Sequence, residues 1–190
     1  PSNENRFDSI AESINKLGAT YLHLTPTVAQ LVSAHALPSV QTFVLSGERL
    51  SRSVASSWES INMVLNTYGP AECTVTGTLS QVRPGEQDPA IGKGYGAVAW
   101  VVRPDGKSLV SIGEIGELWL EGPLVGQGYL GDPEKMAASF VNDPAWLVRG
   151  GPGSSGRHGR LYRTGDLVRY DSDGVLHFVG RKDDQVKIRG

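Results

Sequence analysis

Three short apolar runs, Thr20-Tyr21-Leu22-His23-Leu24, Thr42-Phe43-Val44-Leu45 and Met63-Val64-Leu65, are separated by helix-length stretches. Thr25-Pro26 opens the first of these stretches, with Thr25 as N-cap and Pro26 at the first helical position. Val28, Leu31 and Val32 form its expected inner face, and a second helix is expected from about Ser51 to Ser60. Ahead of them Phe7, Ile10, Ala11, Ile14 and Leu17 recur at helical spacing, with Gly18 as the stop. Strand, helix, strand, helix, strand with short links demands a parallel α/β layer built by right-handed crossovers. Such sheets bind ligands beyond the carboxyl ends of their strands. Those ends are His23-Leu24-Thr25, Ser46-Gly47-Glu48 and Asn66-Thr67-Tyr68-Gly69, where polar residues and glycines collect.

After about residue 75 the pattern changes. Val98 to Val102 is an apolar strand ending at the turn Pro104-Asp105-Gly106, and Glu117 to Glu121 alternates polar with apolar. A helix is expected from Asp132, its N-cap, to Phe140. Strands at Asp166–Tyr170 and Val175–Val179 flank Asp171-Ser172-Asp173-Gly174, a hairpin signature. This half reads as antiparallel β, a small barrel. The segment 150–160, GGPGSSGRHGR, has no apolar anchor and is expected to be a mobile loop. The expected division is a β/α sheet portion over 1–80, a β-rich portion over 81–180, and a hinge over 181–190.

A formal charge of -2 without a basic run gives no reason to expect nucleic acid as a partner. Nothing approaches the ~20 apolar residues of a membrane span, and the N-terminal PSNENRFDS lacks the apolar core of a signal peptide. Cys73 is the only cysteine, so no intrachain disulfide forms, which points to a cytoplasmic setting. The four histidines lack zinc-ligand spacing.

The strings NTYGPAE, GELWLEGPLVGQGYL, LYRTGDLVRY and GRKDDQVKIRG occur in that order. Together they resemble the adenylation domains of nonribosomal peptide synthetases, in the adenylate-forming superfamily that includes acyl-CoA synthetases and luciferase. The wording GPLVGQGYL and the 150–160 loop are most similar to fungal members. The resemblance covers essentially the whole chain and implies the second half of that domain's large N-terminal subdomain, up to the hinge.

It also implies roles. Tyr68 would stack on adenine, a contact typically worth about 1–3 kcal/mol. Asn66, donor and acceptor at once, would meet the purine edge, and Gly47 would let backbone approach its face. Glu48 and Gly69 belong to the same nucleotide-binding set. Glu72, a hard oxygen ligand, would hold Mg²⁺ on the ATP phosphates. Asp166 would accept from the ribose hydroxyls, with Phe178 against the ribose and Arg181 on its phosphate side. His23, Val44, Ser46, Thr67, Val75 and Thr76 would line a substrate pocket, whose hydroxyls and imidazole suit a side chain with polar character. Asp183 would be the hinge, and Lys187 would begin the surface presented for thioester formation.

Each residue also has a plainer reading. Tyr68 could cap the sheet as a core aromatic, Glu72 could be a solvated loop carboxylate, His23 a satisfied core histidine, and Thr164-Gly165-Asp166 a turn. The chain departs from the family at Ala71, where a hydroxyl residue is common, and at Phe178, where tyrosine is common. Arg6-Phe7-Asp8-Ser9 superficially matches an amino-group-binding motif, but Asp8 lies in an amphipathic helix too close to Leu24-Thr25-Pro26, and reads as a helix-face residue.

The implied reaction joins an amino acid to AMP at the expense of Mg-ATP and passes the acyl group to the phosphopantetheine thiol of a peptidyl carrier domain, beside condensation domains. The sequence has no glycine-rich phosphate loop ending in lysine, and the family's catalytic lysine would lie beyond Gly190. The chain by itself is therefore expected to be inactive. Two alternatives stand: an acyl- or aryl-CoA ligase of the same superfamily, and a non-catalytic nucleotide-binding fragment.

Overall fold

The computed structural model describes residues 10–151 and 153–182. They form two compact units, 10–67 with 80–89, and 68–79 with 90–182.

The first unit begins with α1 (Ile10–Leu17), which ends at Gly18 in the left-handed region, φ +58°. β1 (Tyr21–Leu24), β2 (Thr42–Leu45) and β3 (Met63–Tyr68) pair in parallel, in the register His23↔Val44 and Val44↔Leu65. The expected parallel layer is therefore present. Phe43, Leu45, Val64 and Trp58 join Ala29, Leu37, Leu50 and Val54 in one core, in which the Phe43 and Trp58 rings lie 4.1 Å apart.

The connections are tighter than periodicity suggests. Between β1 and β2, α2 (Pro26–Ala29) is a single turn capped by the Thr25 hydroxyl, which accepts from Val28 N at 3.4 Å. Leu31 lies past its end and is 62% exposed, so Ala29 fills the inner position expected of Leu31. α3 (Arg52–Ser56) stops short of Ser60 because the Ser57 hydroxyl donates back to the Val54 carbonyl at 2.7 Å. That competing bond favours a turn over continued helix. β3 runs three residues beyond Leu65. Asn66, Thr67 and Tyr68 are buried strand residues and not an open loop, since Asn66 pairs with Leu45.

β4 (Thr78–Gln81) and β5 (Lys93–Gly94) pair antiparallel through Thr78↔Gly94. In the second unit β6 (Val98–Val102), β7 (Gly116–Glu121), β11 (Arg160–Tyr170) and β12 (Leu176–Arg181) form an antiparallel sheet in the order β12-β11-β7-β6. α4 (Pro133–Ser139) carries the expected cap, with Asp132 Oδ1 accepting from Lys135 N at 2.9 Å, and leads into β8 (Phe140–Asn142), which pairs with β11. α5 (Ala145–Arg149) then precedes the short β9 (Gly150–Gly151) and β10 (Ser154–Ser155), which pair antiparallel. The expected antiparallel half is present, curled into a half-barrel.

Two features differ from expectation. The alternating polar residues of β7 do not face solvent: Glu117 is 4% exposed and Glu121 6%. Glu121 accepts from Arg157 Nη2 at 2.6 Å and Trp100 Nε1 at 2.7 Å, while Glu117 meets Arg163 at 3.2 Å and Lys182 at 3.5 Å. Within the expected mobile loop, Arg157 is tied down by the same pairing, and its backbone N also donates to the Leu147 carbonyl at 3.1 Å. Its anchor is a buried carboxylate, which a search for apolar anchors passes over.

Candidate functional site

In the second unit the chain leaves β3 at Tyr68 and crosses Gly69-Pro70 into a 3-10 turn, Ala71–Cys73. Tyr68, 8% exposed, packs with Leu118, Leu120 and Val168. Its hydroxyl donates to Asp166 Oδ2. The other carboxylate oxygen, Oδ1, accepts from Arg181 Nη1 at 2.9 Å, and that nitrogen also donates to the Thr164 carbonyl at 2.8 Å. The Thr164 hydroxyl in turn accepts from Asp166 N at 3.0 Å and donates to the Leu118 carbonyl at 2.8 Å. Tyrosine, aspartate and arginine from distant segments thus meet at one carboxylate, which is 3% exposed with its residue. Burial first, then the Asp166 charge, holds the Tyr68 hydroxyl well above the ordinary phenol range, so it stays a neutral donor. An ionised carboxylate has about four lone-pair sites; two donors leave it capacity for a diol. Phe178 on β12 is half-buried against the same apolar cluster.

Glu72 sits at the middle of the 3-10 turn. Its Oε1 accepts from Tyr129 Oη at 2.6 Å, and Tyr129 Oη lies 3.2 Å from Tyr162 Oη. Its backbone carbonyl accepts from Gly126 N at 2.7 Å. Burial first, then the bond to Glu72, raises Tyr129, and burial raises Tyr162 further. Next to Glu72, Cys73 is fully buried, and burial followed by the Glu72 charge pushes its thiol up to about 12. The tyrosines at 129 and 162 went unassigned in the sequence; their tie to Glu72 spans 57 residues, and only their presence in the GQGYL and LYRTGD strings signalled them. Among the described residues no cluster of three or more His, Cys, Asp or Glu could hold a metal by itself. A single carboxylate fits Mg²⁺, which takes one or two protein carboxylates and completes its shell with phosphates and water.

Beyond Glu72 the backbone is strained. Thr74 (φ 56°) and Val75 (φ 74°) are left-handed without being glycine, at about 1–3 kcal/mol each. The Thr74 hydroxyl donates to the Leu124 carbonyl at 3.0 Å, and Gly77 N to the Tyr68 carbonyl at 2.9 Å, closing the turn. Val75 is 57% exposed and Thr76 half-buried. Inside this turn a Cβ on Gly69 would collide with the Val75 carbonyl oxygen and lie 2.6 Å from Gly77 N. Both are backbone atoms that cannot rotate away. Gly69→Ala is therefore expected to cost about 1–3 kcal/mol and to displace Glu72. Urea melts of the variant check this, and an unchanged midpoint would contradict it.

In the first unit, the period of two along a strand places His23, Val44 and Thr67 on one sheet face and Asn66 on the other. His23 Nε2 and Ser46 Oγ are 2.6 Å apart, and Thr67 Oγ1 reaches the Leu45 carbonyl at 3.5 Å. Gly47 has φ +84°. Glu48 Oε2 accepts from both Thr27 N (2.9 Å) and Thr27 Oγ1 (2.6 Å), while its buried Oε1 has no partner among the described residues. Four of the six expected pocket residues thus cluster on the sheet of this unit, and Val75 and Thr76 belong to the other. Asp183, Lys187 and Asp8 lie outside the described residues.

The family of AMP-binding enzymes matches residues 1–130, and the chain belongs to it. Within that family it is similar to nonribosomal peptide synthetase adenylation domains. The nonribosomal peptide synthetase ungA of Aspergillus violaceofuscus is 52% identical over 192 residues, which is 100% of this chain and 2% of that protein. The chain thus spans a small fraction of the curated relatives it matches. The Vibrio cholerae adenylation domain AlmE, solved with glycyl-adenosine-5'-phosphate, has a TM-score of 0.79 and 29% identity, over 99% of this chain and 36% of that one. A protein containing adenylation and PCP domains, PA1221, gives 0.81 and 29%, over 95% and 32%. No described helix is long and apolar enough to cross a membrane.

Proposed function

We propose that this chain is the nucleotide- and substrate-binding part of a ligase domain that activates an amino acid as its adenylate. The observation that carries this reading is the buried convergence of Tyr68 and Arg181 on Asp166. Tyr68, whose ring would stack on adenine, and Gly69 are assigned to nucleotide binding, and so are Asn66, Gly47 and Glu48. Asp166 takes the ribose hydroxyls, with Phe178 and Arg181 beside them. A substrate carboxylate oxygen attacks the α-phosphorus of ATP, the bond to the β-phosphate breaks, and pyrophosphate leaves. Glu72 would hold magnesium, which when bound would supply charge neutralisation on the phosphates. Positioning and electrostatics suffice, and no protein nucleophile is required.

The His23–Ser46 pair, with Thr67, presents hydrogen-bonding groups, and this supports a substrate carrying polar character. In the second half-reaction a thiol sulfur attacks the acyl carbon and AMP leaves. A solved relative that contains adenylation and PCP domains supports a phosphopantetheine-bearing carrier domain as acceptor. Condensation domains and a cytoplasmic assembly complete this reading, in which Asp183 is the hinge. The 190 residues contain no glycine-rich loop ending in lysine, so alone they are inactive.

Pyrophosphate exchange by the whole synthetase across an amino-acid panel tests this. Amino-acid-dependent exchange is expected, with Tyr68→Leu raising the KM for ATP about tenfold, the loss of one stacking contact. Exchange only with fatty or aryl acids, followed by CoA thioester formation, would refute amino-acid activation. Exclusive preference for leucine-like side chains would refute the polar pocket, and exchange by the isolated chain would refute its inactivity.

A further inference from the structure

Glu72 is held directly at two points by the segment 126–129, and Tyr162 of β11 backs one of them. Gly126 N bonds its backbone carbonyl at 2.7 Å, Tyr129 Oη bonds its Oε1 at 2.6 Å, and Tyr162 Oη stands 3.2 Å behind Tyr129. A carboxylate can only accept, so the Tyr129 hydrogen is committed to Glu72. The Tyr129 oxygen can then only accept from Tyr162, which makes Tyr162 the donor at their contact. The chain of hydrogen bonds has one direction, from Tyr162 through Tyr129 to Glu72.

The rings that present these hydroxyls are themselves fixed. Tyr129 packs edge-on to Phe140 at 5.5 Å, and Phe140 packs on Tyr162 at 5.1 Å. The Lys135 ammonium lies 4.3 Å over the Tyr129 ring and the Arg160 guanidinium 4.7 Å over Phe140. Arg160 also donates to the Gln127 carbonyl at 2.7 Å, which ties the 126–129 segment to β11. A carboxylate on a short strained turn would otherwise sample several rotamers. Here one oxygen is fixed by a stiff aromatic stack.

We propose that Tyr129, backed by Tyr162, is a positioning residue that orients Glu72 toward the magnesium of Mg-ATP. The inference rests on the reading of Glu72 above. Partners that orient a metal-ligating carboxylate typically change metal affinity 10–100-fold when removed. Tyr129→Phe deletes one oxygen and keeps the ring in its stack, so packing survives the change.

The test uses the whole synthetase with three variants, Glu72→Gln, Tyr129→Phe and Tyr162→Phe. Two quantities are read: the affinity of the enzyme–ATP complex for Mn²⁺ by electron paramagnetic resonance, and the Mg²⁺ concentration at half-maximal pyrophosphate exchange. Glu72→Gln and Tyr129→Phe are each expected to weaken the metal site about tenfold or more. Tyr162→Phe is expected to give a smaller shift, and adding it to Tyr129→Phe no further one, because it acts in series. If Glu72→Gln shifts both readouts but Tyr129→Phe overlays wild type in both, the positioning role is overturned. A melting temperature lowered in Tyr129→Phe with unmoved metal curves would also overturn it, as a purely structural contact. If Glu72→Gln itself moves neither curve, the assignment of Glu72 as a metal ligand fails first. A double variant whose shift is the sum of the singles would overturn the serial order.

Discussion

Asp166→Ala is expected to destabilise the second unit by about 3–5 kcal/mol, the penalty for removing one member of a buried ion pair. The loss is large because one carboxylate serves two donors, the Arg181 guanidinium at 2.9 Å and the Tyr68 hydroxyl. Both donors sit in largely dry surroundings: the Arg181 side chain is 19% exposed and Tyr68 8%. Neither recovers full hydration when the carboxylate goes. Asp166→Asn separates stability from function. The amide keeps the side chain's shape and one acceptor oxygen, so it should recover part of the alanine loss, while the missing charge should weaken ATP binding if Asp166 takes the ribose hydroxyls as proposed. Chemical denaturation of both variants, with ATP affinity of the whole synthetase alongside, checks the pair. An alanine variant as stable as wild type would show that the cluster contributes nothing to the fold. An asparagine variant with undiminished ATP affinity would remove Asp166 from the nucleotide site.

Trp58→Ala is expected to cost about 3–5 kcal/mol in the first unit, as for other fully buried aromatics truncated to a methyl. Trp58 has no exposed surface, and its ring packs on Phe43 at 4.1 Å in the core beneath the parallel strands. The void left behind is bounded by β2, a rigid strand that cannot collapse into it. Among the described residues its buried indole nitrogen has no partner, so the side chain contributes volume and not a hydrogen bond. Trp58→Phe should therefore recover most of the loss, which a denaturation series over the three side chains measures. Equal midpoints for alanine and tryptophan would contradict this account.

The strands of the first unit were legible because residues such as Phe43, Val44 and Leu45 are buried on both faces and read as unbroken apolar runs. Their ends were not. Asn66 favours turns and Gly69-Pro70 follows closely, but the ladder with β2 holds Asn66 against Leu45 regardless. Helix ends failed for a local reason, the Ser57 hydroxyl bonding back to Val54. The start of β11 was missed because Arg160 and Arg163 interrupt its apolar pattern. Their partners, the Gln127 carbonyl and Glu117, are supplied by remote chain. Of the candidate site, the meeting of Tyr68 and Asp166 was legible from motifs read together: the two share a hydrogen bond across 98 positions. Tyr129 was not, since a tyrosine in a loop says nothing about the carboxylate it will meet.

The two buried glutamates of β7 also bear on how the chain assembles. Their cationic partners, Arg157, Arg163 and Lys182, are all synthesised after them. Until those residues arrive, dehydrating β7 would strand two charges at a cost of several kcal/mol per ion. That cost favours a hydrated β6–β7 pair until β11 and the cations around it are available.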